Sequence, residues 1–94
     1  MTALRYQDGR LKVEGDLTCE RVSEISSELL VLAGREGNMA IDLGAVGRCD
    51  STCVALLNAC KEIKLRQQDE LLLVNVPPNL ATLFRVYAVD GVFV

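Results

Sequence analysis

Hydrophobic and polar positions change their period several times along the chain, and each change marks an element. Leu4 to Gln7 and Leu11 to Gly15 alternate, or nearly so, on either side of Asp8-Gly9. That dipeptide favours the tight turn of a hairpin, so two antiparallel strands are predicted. Val22, Ile25, Leu29 and Leu32 then recur at helical spacing, with Thr18 as candidate cap and Gly34 as stop. The spacing predicts a helix from about Thr18 to Ala33. Ala40 to Leu43 reads as a short strand that runs through a glycine-bearing loop to Arg48 and Cys49. A second helix, from about Ser51 to Gln68, carries Cys53, Leu56, Cys60 and Ile63 on one stripe, flanked by Leu57 and Ala59. Leu71 to Val76 is almost wholly apolar, as a central strand covered on both faces would be. Pro77 and Pro78 break that strand, and Leu80, Leu83, Phe84 and Tyr87 mark a third helix from about Asn79 to Tyr87. Val92 to Val94 suits a terminal edge strand.

Strands alternating with helices require crossover connections and hence parallel pairing, while the opening hairpin adds an antiparallel edge. The fold class is therefore α/β, with a four- to five-stranded mixed sheet packed against helices. The chain contains no linker, low-complexity tract or internal repeat, so residues 1–94 form one domain.

Composition narrows the setting. Half of the residues are hydrophobic and 24% are charged, which suits a chain with a packed core. The net charge is −3, there is no dense Lys/Arg run, and aromatic residues make up 4% of the chain, so nucleic acid is not expected as a partner. The first sixteen residues are polar and mixed, unlike a signal peptide. Apolar runs fall far short of the ~20 residues that a membrane helix needs, and no direct membrane insertion is expected. A cytoplasmic location follows as the expectation. Cys19, Cys49, Cys53 and Cys60 form no CxxC pair and the chain has no histidine. A zinc site would need all four thiolates at unusual spacings. Reduced cysteines acting as small hydrophobes are expected instead, with Cys53 and Cys60 buried on the helical stripe.

The junction before the second helix is the richest segment. Asp50, Ser51 and Thr52 stand where a strand gives way to a helix, at an end whose backbone N–H groups lack partners. Each can cap a helix, and one suffices, contributing about 1 kcal/mol. If Asp50 is the cap, Ser51 occupies the first helical position with its hydroxyl free. Beyond it, Val54, Ala55, Asn58, Glu62 and Leu65 follow along the side away from the buried stripe. A part-apolar patch that begins at a helix start is a candidate docking surface, although scattered exposed hydrophobes are normal on any protein. Asp50, Ser51, Thr52, Val54, Ala55 and Asn58 are the candidate partner-binding residues.

Enzymatic chemistry finds few tools here. The missing histidine removes the commonest general base near neutral pH. There is no GxxxxGK[ST] phosphate loop. Asp42 lies within a strand and Asp50 at a cap, and Ser51 has no activating partner in the sequence. No catalytic residue, cofactor or metal ligand is assigned, and a non-enzymatic protein is expected.

The strand, the loop, Asp50-Ser51-Thr52 and the following helix resemble the STAS domain, typified by bacterial anti-sigma factor antagonists, and the element order resembles that family's over nearly the whole chain. The resemblance implies that Ser51 holds the partner-switching position, which is a phosphorylated serine in the antagonists. Asp50 and Thr52 fit the family's Asp-Ser-Ser pattern, whereas Cys53 stands where the family normally has glycine. Within the family the chain is most similar to the small STAS subunits of Mla-type phospholipid-trafficking ABC transporters. Ile41-Asp42-Leu43 followed by Val46, Arg48 and Asp50-Ser51 carries that likeness, together with Leu83, Tyr87 and Val89 and the chain's short length. It implies a non-enzymatic accessory subunit of a complex that maintains outer-membrane lipid asymmetry. Such a subunit would bind the cytosolic ATPase of that ABC complex, peripheral to the inner membrane. The alternative is an anti-sigma factor antagonist whose partner is a kinase, with Ser51 as phosphoacceptor.

Overall fold

The computed structural model describes residues 2–87. Its elements in chain order are β1 (Ala3–Gln7), β2 (Arg10–Leu17), α1 (Cys19–Ala33), β3 (Met39–Cys49), α2 (Ser51–Arg66), β4 (Leu71–Val74) and α3 (Pro78–Val86). The four strands form one mixed sheet in the order β1-β2-β3-β4. β1 is antiparallel to β2, and the β2–β3 and β3–β4 pairs are parallel. The expected strand at Val92 to Val94 lies outside the described residues.

The hairpin between β1 and β2 forms as the sequence predicts. Asp8 and Gly9 both have positive φ, 51° and 79°, the conformation of a two-residue turn whose twist matches the strands it joins. From β2 onward the strands step across the sheet in one direction. Right-handed crossovers then bring α1 and α2 to the same face, where the two helices pack against each other. Leu11, Val13, Ile41, Leu43 and Leu71 are buried, and they meet Ile25 and Leu29 of α1 and Leu57 and Cys60 of α2 in one core. Alternate sheet positions carry Arg5, Arg10, Lys12 and Asp42, joined by ion pairs Arg5–Glu14 at 2.9 Å and Arg10–Asp42 at 3.5 Å.

Two strand expectations need correction. β3 is eleven residues long and absorbs the segment read as a glycine-bearing loop. Its pairing with β2 shifts register between Lys12 and Glu14 and again between Gly15 and Leu17, so β3 carries extra residues as bulges. Gly47 belongs in such a place, because a Cβ there would come within 2.5 Å of the Asp16 carboxylate. β4 is only four residues long and, among the described residues, pairs with β3 alone. Leu72 is 62% exposed, so this strand is not covered on both faces. The apolar run does not reveal that both crossover helices lie on one side.

The far end of α2 carries a residue that the pattern did not single out. Lys64 is 2% exposed, and its Nζ donates to the carbonyls of Arg35 at 2.6 Å and Gly37 at 2.7 Å. Gln67 Nε2 adds a bond to the Gly34 carbonyl at 2.6 Å. The connection from α1 to β3 is thereby fastened to the end of α2.

Candidate functional site

β3 ends at Cys49, and Asp50 follows with an extended backbone, φ −138° and ψ −171°, before α2 begins at Ser51. This is the geometry of an N-cap, and the Asp50 side chain acts as one: its Oδ1 accepts the Thr52 backbone N–H at 3.0 Å. The Thr52 hydroxyl also donates to Oδ1. The other oxygen, Oδ2, accepts the backbone N–H of Cys19 at 2.9 Å. Cys19 is the first residue of α1, whose own N-cap, Thr18, makes no side-chain capping bond. One carboxylate thus serves two helix starts. The Thr52 hydroxyl is the main influence holding the Asp50 carboxyl below its ordinary value of 3.8; partial burial opposes it and the Cys19 and Thr52 amides reinforce it.

The three candidate caps are therefore sorted by the structure. Asp50 caps, and the Thr52 hydroxyl is committed to Asp50. Ser51 is exposed, and among the described residues its hydroxyl makes no hydrogen bond. Ser51 and Thr52 join Val54, Ala55 and Asn58 in lining a shallow groove of about 440 Å³. Five of the six sequence-derived candidates meet there, with Asp50 bonded to its wall through Thr52.

Two residues differ from expectation. Val54, assigned to the outward side of α2, is buried, with 5% exposure. α3 packs along α2, which the period of α2 by itself could not reveal. Tyr87, at the end of α3, is the groove residue that sequence reasoning missed: it is 51% exposed and lines the groove beside Ser51. The apolar spacing of α3 assigned it to a helical stripe, and no local signal ties it to α2. Leu65 is 57% exposed on α2, as expected, but does not line the groove.

Elsewhere the chemistry is structural. A cavity of about 520 Å³ on the polar side of the sheet is lined by residues including Arg5, Arg10, Lys12 and Asp42. Two of its cations are already paired with carboxylates. Asp42 accepts the Gly44 N–H at 3.0 Å and the Asn75 Nδ2 at 3.1 Å, bonds that hold its carboxyl below the ordinary value. It belongs to a different part of the sheet from Asp50 and forms no carboxylate pair with it.

Three of the four cysteines, Cys49, Cys53 and Cys60, are poor nucleophiles. Burial pushes the Cys53 thiol up to about 12 and the Cys60 thiol up to about 11. Cys49 is also raised, by burial and then by the Asp50 charge. Among the described residues, no group of three or more His, Cys, Asp or Glu side chains could hold a metal ion. No described helix is long and apolar enough to cross a membrane.

The family model described as "Mlab, STAS domain" matches residues 1–94, the whole chain. No curated protein matches it. Among solved structures, the chain is similar to the Bacillus cell fate determinant SpoIIAA in its phosphorylated form. The two are 14% identical with a TM-score of 0.74, over 100% of this chain and 89% of that one. It is similar also to the anti-sigma factor antagonist SpoIIAA in its unphosphorylated form, at 15% identity and a TM-score of 0.74, over 100% of this chain and 86% of that one. At these identities the likeness is one of fold: an α/β domain that, among the described residues, has a four-stranded mixed sheet and three helices.

Proposed function

Since the chain belongs to the STAS domain family described as Mlab, we propose that it is a non-enzymatic accessory subunit of a phospholipid-transport ABC complex. It docks on the complex's cytosolic ATPase through the first turn of α2. The observation that carries this reading is Ser51, whose exposed hydroxyl is left over after Asp50 and Thr52 have completed the cap. It stands beside a mainly apolar groove to which Val54, Ala55 and Tyr87 contribute. A small polar group at a helix start, next to apolar surface, suits close contact with a partner's backbone. Hydrolysis of ATP belongs to the partner, in keeping with the absence of a phosphate loop here.

Replacing Ser51 by Arg tests the reading. Arginine adds bulk and charge at the contact while leaving the Asp50 cap in place. The Ser51→Arg chain is expected to melt within a few degrees of the wild type and to lose co-purification of the transporter's ATPase subunit. Normal co-purification of Ser51→Arg, or unfolding caused by Ser51→Ala alone, would show that the residue serves the fold rather than a partner.

A second reading has its own support. The same fold is found in an anti-sigma factor antagonist solved in phosphorylated and unphosphorylated forms, and Ser51 offers an exposed hydroxyl. In that reading Ser51 is the phosphoacceptor of a partner kinase. A phosphate carrying about −1.5 to −2 charge beside the Asp50 carboxylate would alter how a partner approaches. Phosphosite mapping of protein taken from its native host separates the two readings: stoichiometric phosphate at Ser51 with a kinase in the complex favours the switch, and an unmodified Ser51 with a bound ATPase favours transport.

A further inference from the structure

We propose that Asp50 is a positioning residue for the docking turn: by joining the start of α1 to the start of α2, it sets how Ser51 is presented to the partner. The inference rests on the docking reading above and concerns the same surface. An N-cap needs one side-chain oxygen, and Asp50 meets that need with the Oδ1–Thr52 bond. Its second oxygen is spent on Cys19, 31 residues away in sequence, at the start of another helix. Capping of α2 does not require that bond.

The topology explains why one carboxylate can reach both helices. β2 and β3 are parallel neighbours, with Leu17 opposite Cys49. α1 and α2 therefore leave adjacent strands at the same end of the sheet, and Asp50 stands between their first residues. Thr18, the residue placed to cap α1, leaves that work to Asp50. The Thr52 hydroxyl adds a third bond to the same carboxylate. Ser51 lies between the two residues this network holds, so its direction depends on the network.

Asparagine separates the two duties. Asn at position 50 keeps one acceptor oxygen, enough for the Thr52 N–H, but its NH2 group would meet the Cys19 N–H donor to donor. Serine keeps the cap and is too short to span both helices. The test uses the full chain as Asp50→Asn and Asp50→Ser, with affinity for the ATPase measured by titration, melting temperature recorded, and amide exchange followed at Cys19 and Thr52. Lys64→Met serves as a stability control, because it perturbs the opposite end of α2 and touches no groove residue.

The expected result is faster exchange at Cys19 with Thr52 still protected. Affinity should fall by about tenfold or more, because losing a charge-assisted hydrogen bond leaves a minor fraction of molecules in the binding-competent geometry. The Lys64→Met chain should bind as the wild type does despite its lower melting point. Asp50→Asn binding within about twofold of wild type, or weakened no more than Lys64→Met at the same melting point, overturns the proposal; twofold is under half a kcal/mol, below one hydrogen bond. Ser51→Arg distinguishes the levels of failure. If it abolishes binding while Asp50→Asn leaves it intact, only the positioning role is lost; if Ser51→Arg itself binds normally, the docking reading falls and the positioning role with it.

Discussion

Lys64→Met is the sharpest test of how this fold is held, because the two side chains have similar length and differ chiefly in the ammonium. Lys64 is 2% exposed, and its Nζ bonds the carbonyls of Arg35 and Gly37 at 2.6 and 2.7 Å. Hydrogen bonds to a charged group contribute about 1.5–3 kcal/mol each. Against them stands a desolvation cost of several kcal/mol for burying the ammonium, which methionine does not incur. Removing the donor also leaves two carbonyls without it. Arg35 and Gly37 are themselves exposed, so water can replace part of what is lost. The balance is a loss of about 2 kcal/mol, a large share of the ~5–15 kcal/mol that stabilises an ordinary domain. For a domain of this size that corresponds to a melting point lower by ~10 °C. Urea unfolding followed by circular dichroism, with a thermal melt alongside, measures both quantities. A loss under about 0.5 kcal/mol, or a gain, would mean that burial of the charge cancels its hydrogen bonds, and the view of Lys64 as the fastening of the α1–β3 connection would be wrong.

Thiol labelling of the native chain should modify Cys19 first and Cys49 more slowly, and reach Cys53 and Cys60 only after denaturation; rapid labelling of all four in the folded state would contradict the packing of α2 on the sheet. The raised thiols also set an alkaline limit: stability is intact below 9.0 and should fall as pH rises towards 11 and 12, because the unfolded thiols ionise first. At the acid end the sign reverses for Asp50, whose lowered carboxyl contributes stability above 3.8 that is lost as pH falls through its folded value. Asp50→Asn should therefore show a shallower acid limb in a plot of melting point against pH, and an unchanged limb would refute the assignment.

Elements specified by residues close in sequence were legible in the pattern. The period of Val22, Ile25 and Leu29, the stop at Gly34 and the Pro77-Pro78 break locate the three helices to within two residues at each end. Asp8-Gly9 gave the hairpin and its turn. What was not legible depends on partners distant in sequence. Gly44 and Gly47 look like loop residues until β2 supplies a partner strand against which β3 bulges. The apolar run of β4 does not record which face the crossover helices take. Val54 is outward by the period of α2 and buried in the fold, where α3 packs along α2. Within the site, the segment Asp50 to Asn58 was readable as a capped helix start with a neighbouring patch. The carboxylate bond to Cys19 and the contribution of Tyr87 required the tertiary structure.

The same separation of inward and outward residues settles what Cys53 means for the site. It stands where the resemblance expects glycine, which raises the question of whether its side chain obstructs a partner at Ser51. In the fold Cys53 has no exposed surface and belongs to the core, whereas Ser51 and Ala55 are exposed. The Cys53 side chain therefore adds nothing to the surface that a partner would meet. Its contribution is to stability: it fills core volume that glycine would leave empty. The burial that lifts its thiol to about 12 also keeps it from reacting with anything bound in the groove. At this junction the inward side of α2 answers to the core and the outward side carries the exposed Ser51 and Ala55, so the departure at Cys53 and the proposed role of Ser51 are compatible.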